Sequence, residues 1–203
     1  MDIELASTVL VVVAVALLIV GSPIVIYLME RKRRRKLKAL AECFSGRVVF
    51  RFFHPFVKFD NGGCITKIWA RPRSRRTPSY LIVEQQSPLG FKMTVDPRKS
   101  ILTRKIRIIK MKELESIGPE LTQTYIIRSN DEARAGLFFQ DPKRKNELDL
   151  FFQTVKFSEL NADNKKLTLT KINFNQDDIL PERMKPVIEA LRSFAAAANA
   201  ATA

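Results

Sequence analysis

Histidine, cysteine and tryptophan are scarce: 203 residues hold one His, two Cys and one Trp. One imidazole and two distant thiols cannot complete a tetrahedral zinc site. Two cysteines also exclude a disulfide-dense secreted scaffold. Cys43 and Cys64 lack the C-x-x-C spacing of a redox pair, so both read as reduced cytosolic thiols. Cys43, just past a basic cluster, is the one position that suits acylation. His54 lies between Phe53 and Pro55 at a predicted strand end. A general base needs an oriented partner and a nucleophile, and a structural role fits this position better.

Other catalytic signatures are missing as well. Adjacent carboxylates occur at Asp131-Glu132 and Asp177-Asp178, each just before a predicted helix, where helix-start electrostatics accounts for them. Asp60-Asn61-Gly62-Gly63 lacks the lysine of a phosphate-binding loop and the length of a calcium loop, so it reads as a turn. There is no nucleotide-binding fingerprint and no nucleophile elbow. The expectation is a protein that is not an enzyme and carries no cofactor and no metal.

Acidic residues are also in short supply. Thirty-five Lys and Arg face 21 Asp and Glu, a formal net charge of +14. One stretch has no charge at all: Leu5 to Met29, 25 residues. As a helix it would reach roughly 37 Å, enough to cross a hydrocarbon core of about 30 Å with some tilt. Pro23 and Gly21 fall late in the run, and Tyr27 stands near its boundary, where an interface anchor belongs. A cleaved signal peptide would start basic and carry a shorter apolar core. Here the start is acidic, with Asp2 and Glu4. A retained transmembrane helix is the reading.

Orientation follows from the flanks. Residues 31–38 read RKRRRKLK, and seven of these eight are basic: Arg31, Lys32, Arg33, Arg34, Arg35, Lys36 and Lys38. The positive-inside rule puts that side in the cytoplasm and the short acidic N-terminus outside. The expected location is the cytoplasmic (inner) membrane, single-pass. The cluster also attracts anionic lipids.

The expected organisation is a transmembrane anchor at 1–30, a basic juxtamembrane segment at 31–45, a cytoplasmic α+β domain at 46–197 and a frayed tail at 198–203. The domain's charge is uneven. Ala39 to Lys112 carries 16 basic and 4 acidic residues, whereas Glu113 onward carries 12 basic and 14 acidic. Strands are predicted at Arg47–His54, Phe56–Asp60, Cys64–Ala70, Tyr80–Gln86, Phe91–Val95 and Ile101–Ile109. Ser87-Pro88-Leu89-Gly90 reads as the turn of a hairpin between two of them. Further strands are predicted at Thr122–Arg128, Val155–Glu159 and Lys166–Asn173, the last two around a turn at Asn161–Asn164. Ser129 or Asn130 caps a helix to Phe139, and Pro142 opens another toward Phe152. A last helix starts near Pro181, with Met184, Val187, Ile188, Leu191 and Phe194 on its buried face. The fold class expected is α+β: an N-terminal transmembrane helix, then a β-rich domain closed by a C-terminal helix.

The basic first half offers one candidate interaction surface, for anionic partners. Arg71, Arg73, Arg75 and Arg76 lie in an Arg-rich loop, with Arg98, Lys99, Arg104, Lys105 and Arg107 further along. The aromatic residues alternate into the presumed core instead of standing among these cations. That disfavours nucleic acid. Integral membrane protein subunits and anionic lipids are the expected partners, ahead of a membrane tether for nucleic acid.

Leu40-Ala41-Glu42-Cys43-Phe44-Ser45-Gly46, the Phe56–Gly63 strand and turn, Ser87-Pro88-Leu89-Gly90-Phe91 and Ser129-Asn130-Asp131-Glu132 form a layout. It resembles bacterial single-pass membrane proteins with a cytoplasmic β-rich domain and no assigned activity, and spans most of residues 39–195. The resemblance implies topology and fold. By architecture alone the plan is also similar to the H subunit of photosynthetic reaction centres, although no motif of that subunit matches. The leading expectation is a non-catalytic accessory subunit that caps or stabilises a larger membrane complex, of photosynthetic or respiratory type by that analogy. The alternative is a membrane-surface module using the basic face.

Overall fold

The computed structural model describes residues 30–51, 54–87, 90–98, 111–115 and 117–200. The expected span at 5–29 and the expected strand at Ile101–Ile109 therefore lie outside the described residues. Among the described residues no helix is long and apolar enough to cross a membrane. The chain divides into two units, Met1–Lys36 and Leu37–Ala203. In the first unit, residues 30–36 are helical and Glu30 accepts from Arg33 and Arg34 at 2.7 and 3.2 Å. The helical stretch (α1, residues 30–43) continues into the second unit, where Leu37, Leu40 and Ala41 are buried in the core.

The second unit is α+β, with nine strands among the described residues in one antiparallel sheet and a C-terminal helix. β1 (Arg47–Arg51), β2 (His54–Asp60), β3 (Ile65–Arg71) and β4 (Tyr80–Gln86) form a meander. β5 (Met93–Pro97), β6 (Lys112–Glu113), β7 (Tyr125–Ser129), β8 (Glu159–Ala162) and β9 (Lys166–Ile172) complete the sheet. The order across it is β1-β2-β3-β4-β9-β8-β5-β7-β6. Strand alternation sets the faces. Thr66, Ile68 and Ala70 of β3, Leu81 and Val83 of β4, and Leu167 and Leu169 of β9 are buried. The turn at Asp60–Cys64 forms as the sequence suggests. Gly62 and Gly63 take φ of 67° and 84°, and the Gly63 amide donates to Asp60 Oδ1 at 2.7 Å.

Helices cover the inner face. They are α2 (Pro119–Thr124), α3 (Glu132–Phe139), α4 (Pro142–Asp149, prolonged by a π-helical turn at Leu150–Thr154) and α5 (Pro181–Ala200). Asp131 caps α3 by accepting from the Arg134 amide at 3.0 Å, and Asp141 caps α4 by accepting from Lys143 at 2.9 Å. Met184, Val187, Ile188, Leu191 and Phe194 of α5 are buried, as their helical spacing requires. The helix runs on through the Ala-rich end to Ala200 with Ala198 buried, past residue 197, where fraying was expected to begin.

Four local expectations are corrected. Tyr80–Gln86 and the strand after it do not pair as a hairpin: β4 pairs with β9, and β5 with β8 and β7. The β8–β9 hairpin lies between them, and the Ser87 amide donates to Lys165 O at 2.9 Å beside its turn. Arg47–His54 is not one strand, since β1 ends at Arg51 and β2, antiparallel to it, starts at His54. Pro55 then sits near the start of β2, where a missing N–H is tolerated. Residues 122–124 are helical because Pro119 opens α2 at its first position and the Thr122 hydroxyl donates to Gly118 O at 3.1 Å. The strand expected at 155–159 starts at Glu159, since the π-helical turn and the left-handed Lys156 (φ 64°) occupy the preceding residues.

Gly46 joins α1 to β1 where a side chain has no room. An added Cβ would stand 2.7 Å from Phe59 Cβ and 2.8 Å from Lys58 O, both fixed by the sheet. Gly46→Ala is expected to cost about 1–3 kcal/mol, as overpacking does. Thermal unfolding of the chain reads this directly, and an unchanged midpoint contradicts it.

Candidate functional site

The Arg-rich segment forms the loop between β3 and β4, whose last and first residues, Arg71 and Tyr80, face each other across the ladder. The loop's tip is built by its own hydroxyls. The Ser74 amide donates to Thr77 O at 2.9 Å, the Thr77 amide donates to Ser74 Oγ at 3.1 Å, and the two hydroxyls lie 2.7 Å apart. Pro72 and Pro78 fix φ on either side. Residues 71–77 are all exposed. Arg71, Arg73, Arg75 and Arg76 thus come together on one protrusion, and none makes an ion pair among the described residues.

The remaining expected cations are placed differently. Arg98, just after β5, donates to Thr122 O and pairs with Glu113 at 3.0 Å, so it holds α2 and β6 to β5. Lys99, Arg104, Lys105 and Arg107 lie outside the described residues. Of the basic 31–38 cluster, Arg33 and Arg34 pair with Glu30, and Lys38 approaches Glu42 at 3.8 Å.

Several polar groups went unnoticed in the sequence because the fold, not the spacing, brings their partners to them. On the outer sheet face Glu84 is flanked by Lys67 at 3.4 Å and Lys166 at 2.8 Å, and Lys67 sits 5.8 Å over the Trp69 ring. Lys171 and Arg183 bracket the buried Asp178 at 2.9 and 3.3 Å. The Tyr125 hydroxyl meets Asp149 at 2.5 Å, and its pKa is raised by burial first and by that carboxylate second. Sequence spacing signals none of these contacts.

Asp96 on β5 is a strongly perturbed carboxyl. Its side chain is buried, Arg128 reaches one oxygen at 3.2 Å, and the other has no hydrogen-bond partner. Burial, then the nearby Glu159, pushes its pKa up to about 6, against the opposing pull of Arg128. The folded state therefore favours the protonated acid. The stability this confers is complete below the ordinary carboxyl value near 3.8 and is lost as pH rises through about 6. Asp96→Asn keeps the shape without the charge. It is expected to stabilise the fold by about 1–3 kcal/mol at pH 8 and by almost nothing at pH 4. Melting curves across that range decide it, and destabilisation at pH 8 contradicts it.

Two surface depressions among the described residues assemble no reactive set. One, of about 680 Å³, is lined by Ile117, Gly118, Glu132, Ala133, Gly136, Leu137 and Gln140. Its one carboxylate, Glu132, pairs with Lys112 at 3.3 Å. The other, of about 300 Å³, lies at the start of β1 and is lined by Ser45, Gly46, Arg47, Lys58, Phe59, Asp60 and Ile65. Among the described residues no three His, Cys, Asp or Glu side chains gather as a metal site would need. Cys43 and Cys64 are both free and half-buried.

No protein-family model, curated protein or solved structure matches the chain. The functional reading therefore rests on these residues and their geometry.

Proposed function

We propose that the chain is a non-catalytic, single-pass accessory subunit of a larger membrane complex in the cytoplasmic membrane. The N-terminal helix anchors it, and the α+β domain caps or stabilises integral membrane partners from the cytoplasmic side. One observation carries this reading: an uncharged run of 25 residues ends one residue before a cluster with seven basic residues in eight. Length suits a span, and the charge step sets its direction. Ala6, Ser7, Ala14, Ala16 and Gly21 give the span small residues at which a neighbouring helix can approach closely.

The test is extraction of the native membrane in mild detergent, followed by sizing and mass spectrometry of what co-migrates. A stoichiometric set of integral membrane proteins is the expected result. A lone 23.2 kDa species overturns the accessory role.

A further inference from the structure

The antiparallel ladder fixes which connections share an end of the sheet. Arg71 of β3 faces Tyr80 of β4, Tyr80 faces Ile172 of β9, and Thr170 of β9 faces Glu159 of β8. Leu160 of β8 then faces Val95 of β5, and Pro97 faces Tyr125 at the start of β7. The 72–79 loop and Arg98 therefore lie at the same end, four strands apart, or roughly 19 Å by strand spacing. The opposite end carries the Asp60–Cys64 and Asp163–Lys165 turns. There Asp60 accepts from the Gly63 amide and Asp163 from the Lys165 amide at 2.8 Å.

Near the cationic end Glu113 is engaged by Arg98, and Asp178 by Lys171 and Arg183. Arg71, Arg73, Arg75 and Arg76 make no ion pair among the described residues. Four guanidinium groups within six residues, held out by a Pro-bounded loop with a hydrogen-bonded tip, repel one another unless an external anion neutralises them. A guanidinium fork matches phosphate oxygens in pairs. No aromatic residue falls within 71–79, so the loop offers no stacking platform for bases. Charge complementarity favours an extended phosphate surface.

We propose that this end of the sheet, led by Arg71, Arg73, Arg75 and Arg76, docks on the anionic headgroups of the cytoplasmic leaflet and so fixes the domain's tilt over the membrane. The inference rests on the anchored, single-pass reading above. A basic residue near an anionic leaflet strengthens attachment by about fivefold, so the four arginines act together as a substantial clamp.

The test reconstitutes the full chain in nanodiscs of phosphatidylcholine alone and of phosphatidylcholine with phosphatidylglycerol, and follows amide hydrogen exchange. Exchange of residues 73–77 is expected to slow by about an order of magnitude in the anionic discs. The Asp60–Cys64 turn at the far end should exchange equally in both. High salt, or the variant Arg71→Gln/Arg73→Gln/Arg75→Gln/Arg76→Gln, should remove the difference. Insertion with equal exchange of 73–77 in both discs overturns the docking alone and leaves the anchor intact. Failure to insert in either disc overturns both. Slowing by duplex DNA, with none from the anionic discs, replaces the leaflet by nucleic acid.

Discussion

Phe194→Ala is expected to cost about 3–5 kcal/mol of folding stability, the range for removing a fully enclosed aromatic ring. Phe194 stands on α5 with no exposed surface. Its ring centroid lies 4.7 Å from Phe138, 6.4 Å from Phe139 and 6.3 Å from Phe151, all at steep interplanar angles. One side chain thus joins α3, the π-helical turn after α4 and α5. Truncation leaves a cavity whose walls belong to three separate elements, so collapse around it is poor. Denaturant unfolding of the detergent-solubilised chain measures the loss. A change below about 1 kcal/mol would mean that the three helical segments are not one packed layer.

Arg144→Met is the second large effect, about 3–5 kcal/mol near neutral pH. Arg144 is buried, forms a short ion pair with Glu147 and reaches Asp141 at 3.1 Å. Its guanidinium also lies 5.5 Å from the Phe138 ring and 5.9 Å from Phe194. Burial already raises the Glu147 pKa, and Arg144 is among the groups that restrain it. With the arginine gone, a buried carboxylate loses its counter-charge. The folded state then favours protonated Glu147 more strongly, so the deficit should shrink as pH falls. Arg144→Met/Glu147→Leu should recover most of the lost stability, because a buried pair replaced by apolar residues is often neutral. A double variant as unstable as the single one refutes this account of the pair.

Much of the fold was legible where one local rule sufficed. The Asp60–Cys64 turn needed two glycines at positive φ, and α5 announced itself by apolar residues at helical spacing. β3 and β4 were legible as strands on either side of the Pro-bounded Arg-rich loop, though their pairing was not. What stayed hidden was decided by distant segments. Ser87–Gly90 reads as a hairpin turn, yet β4 finds its partner in β9, some eighty residues later, where Leu167 and Leu169 continue the inner face set by Leu81 and Val83. Strand pairing is a contest between surfaces, and a turn motif does not settle it.

The candidate surface shows the same division. Arg71 through Arg76 could be grouped from the sequence because one short loop carries them. Arg98 could not be separated from them without the fold, since its partners are Thr122 and Glu113, more than a dozen residues away. The shared sheet end of Arg71 and Arg98 likewise comes from topology, which no spacing in the chain expresses. Nor could Asp96 be singled out: its shift arises from burial first and from Glu159 second.

The anchored topology is tested most directly by trypsin on sealed membranes of both orientations, with an alkaline wash applied to a separate sample. The exposed 72–77 loop offers cleavage after Arg73, Arg75 and Arg76, and the 31–38 cluster offers more. The account predicts that the chain stays in the washed membranes. It also predicts that digestion of inside-out vesicles strips the domain and leaves a short N-terminal membrane fragment, while right-side-out vesicles keep the chain whole. Release of the chain by the wash, or cleavage from the outside face, would contradict it.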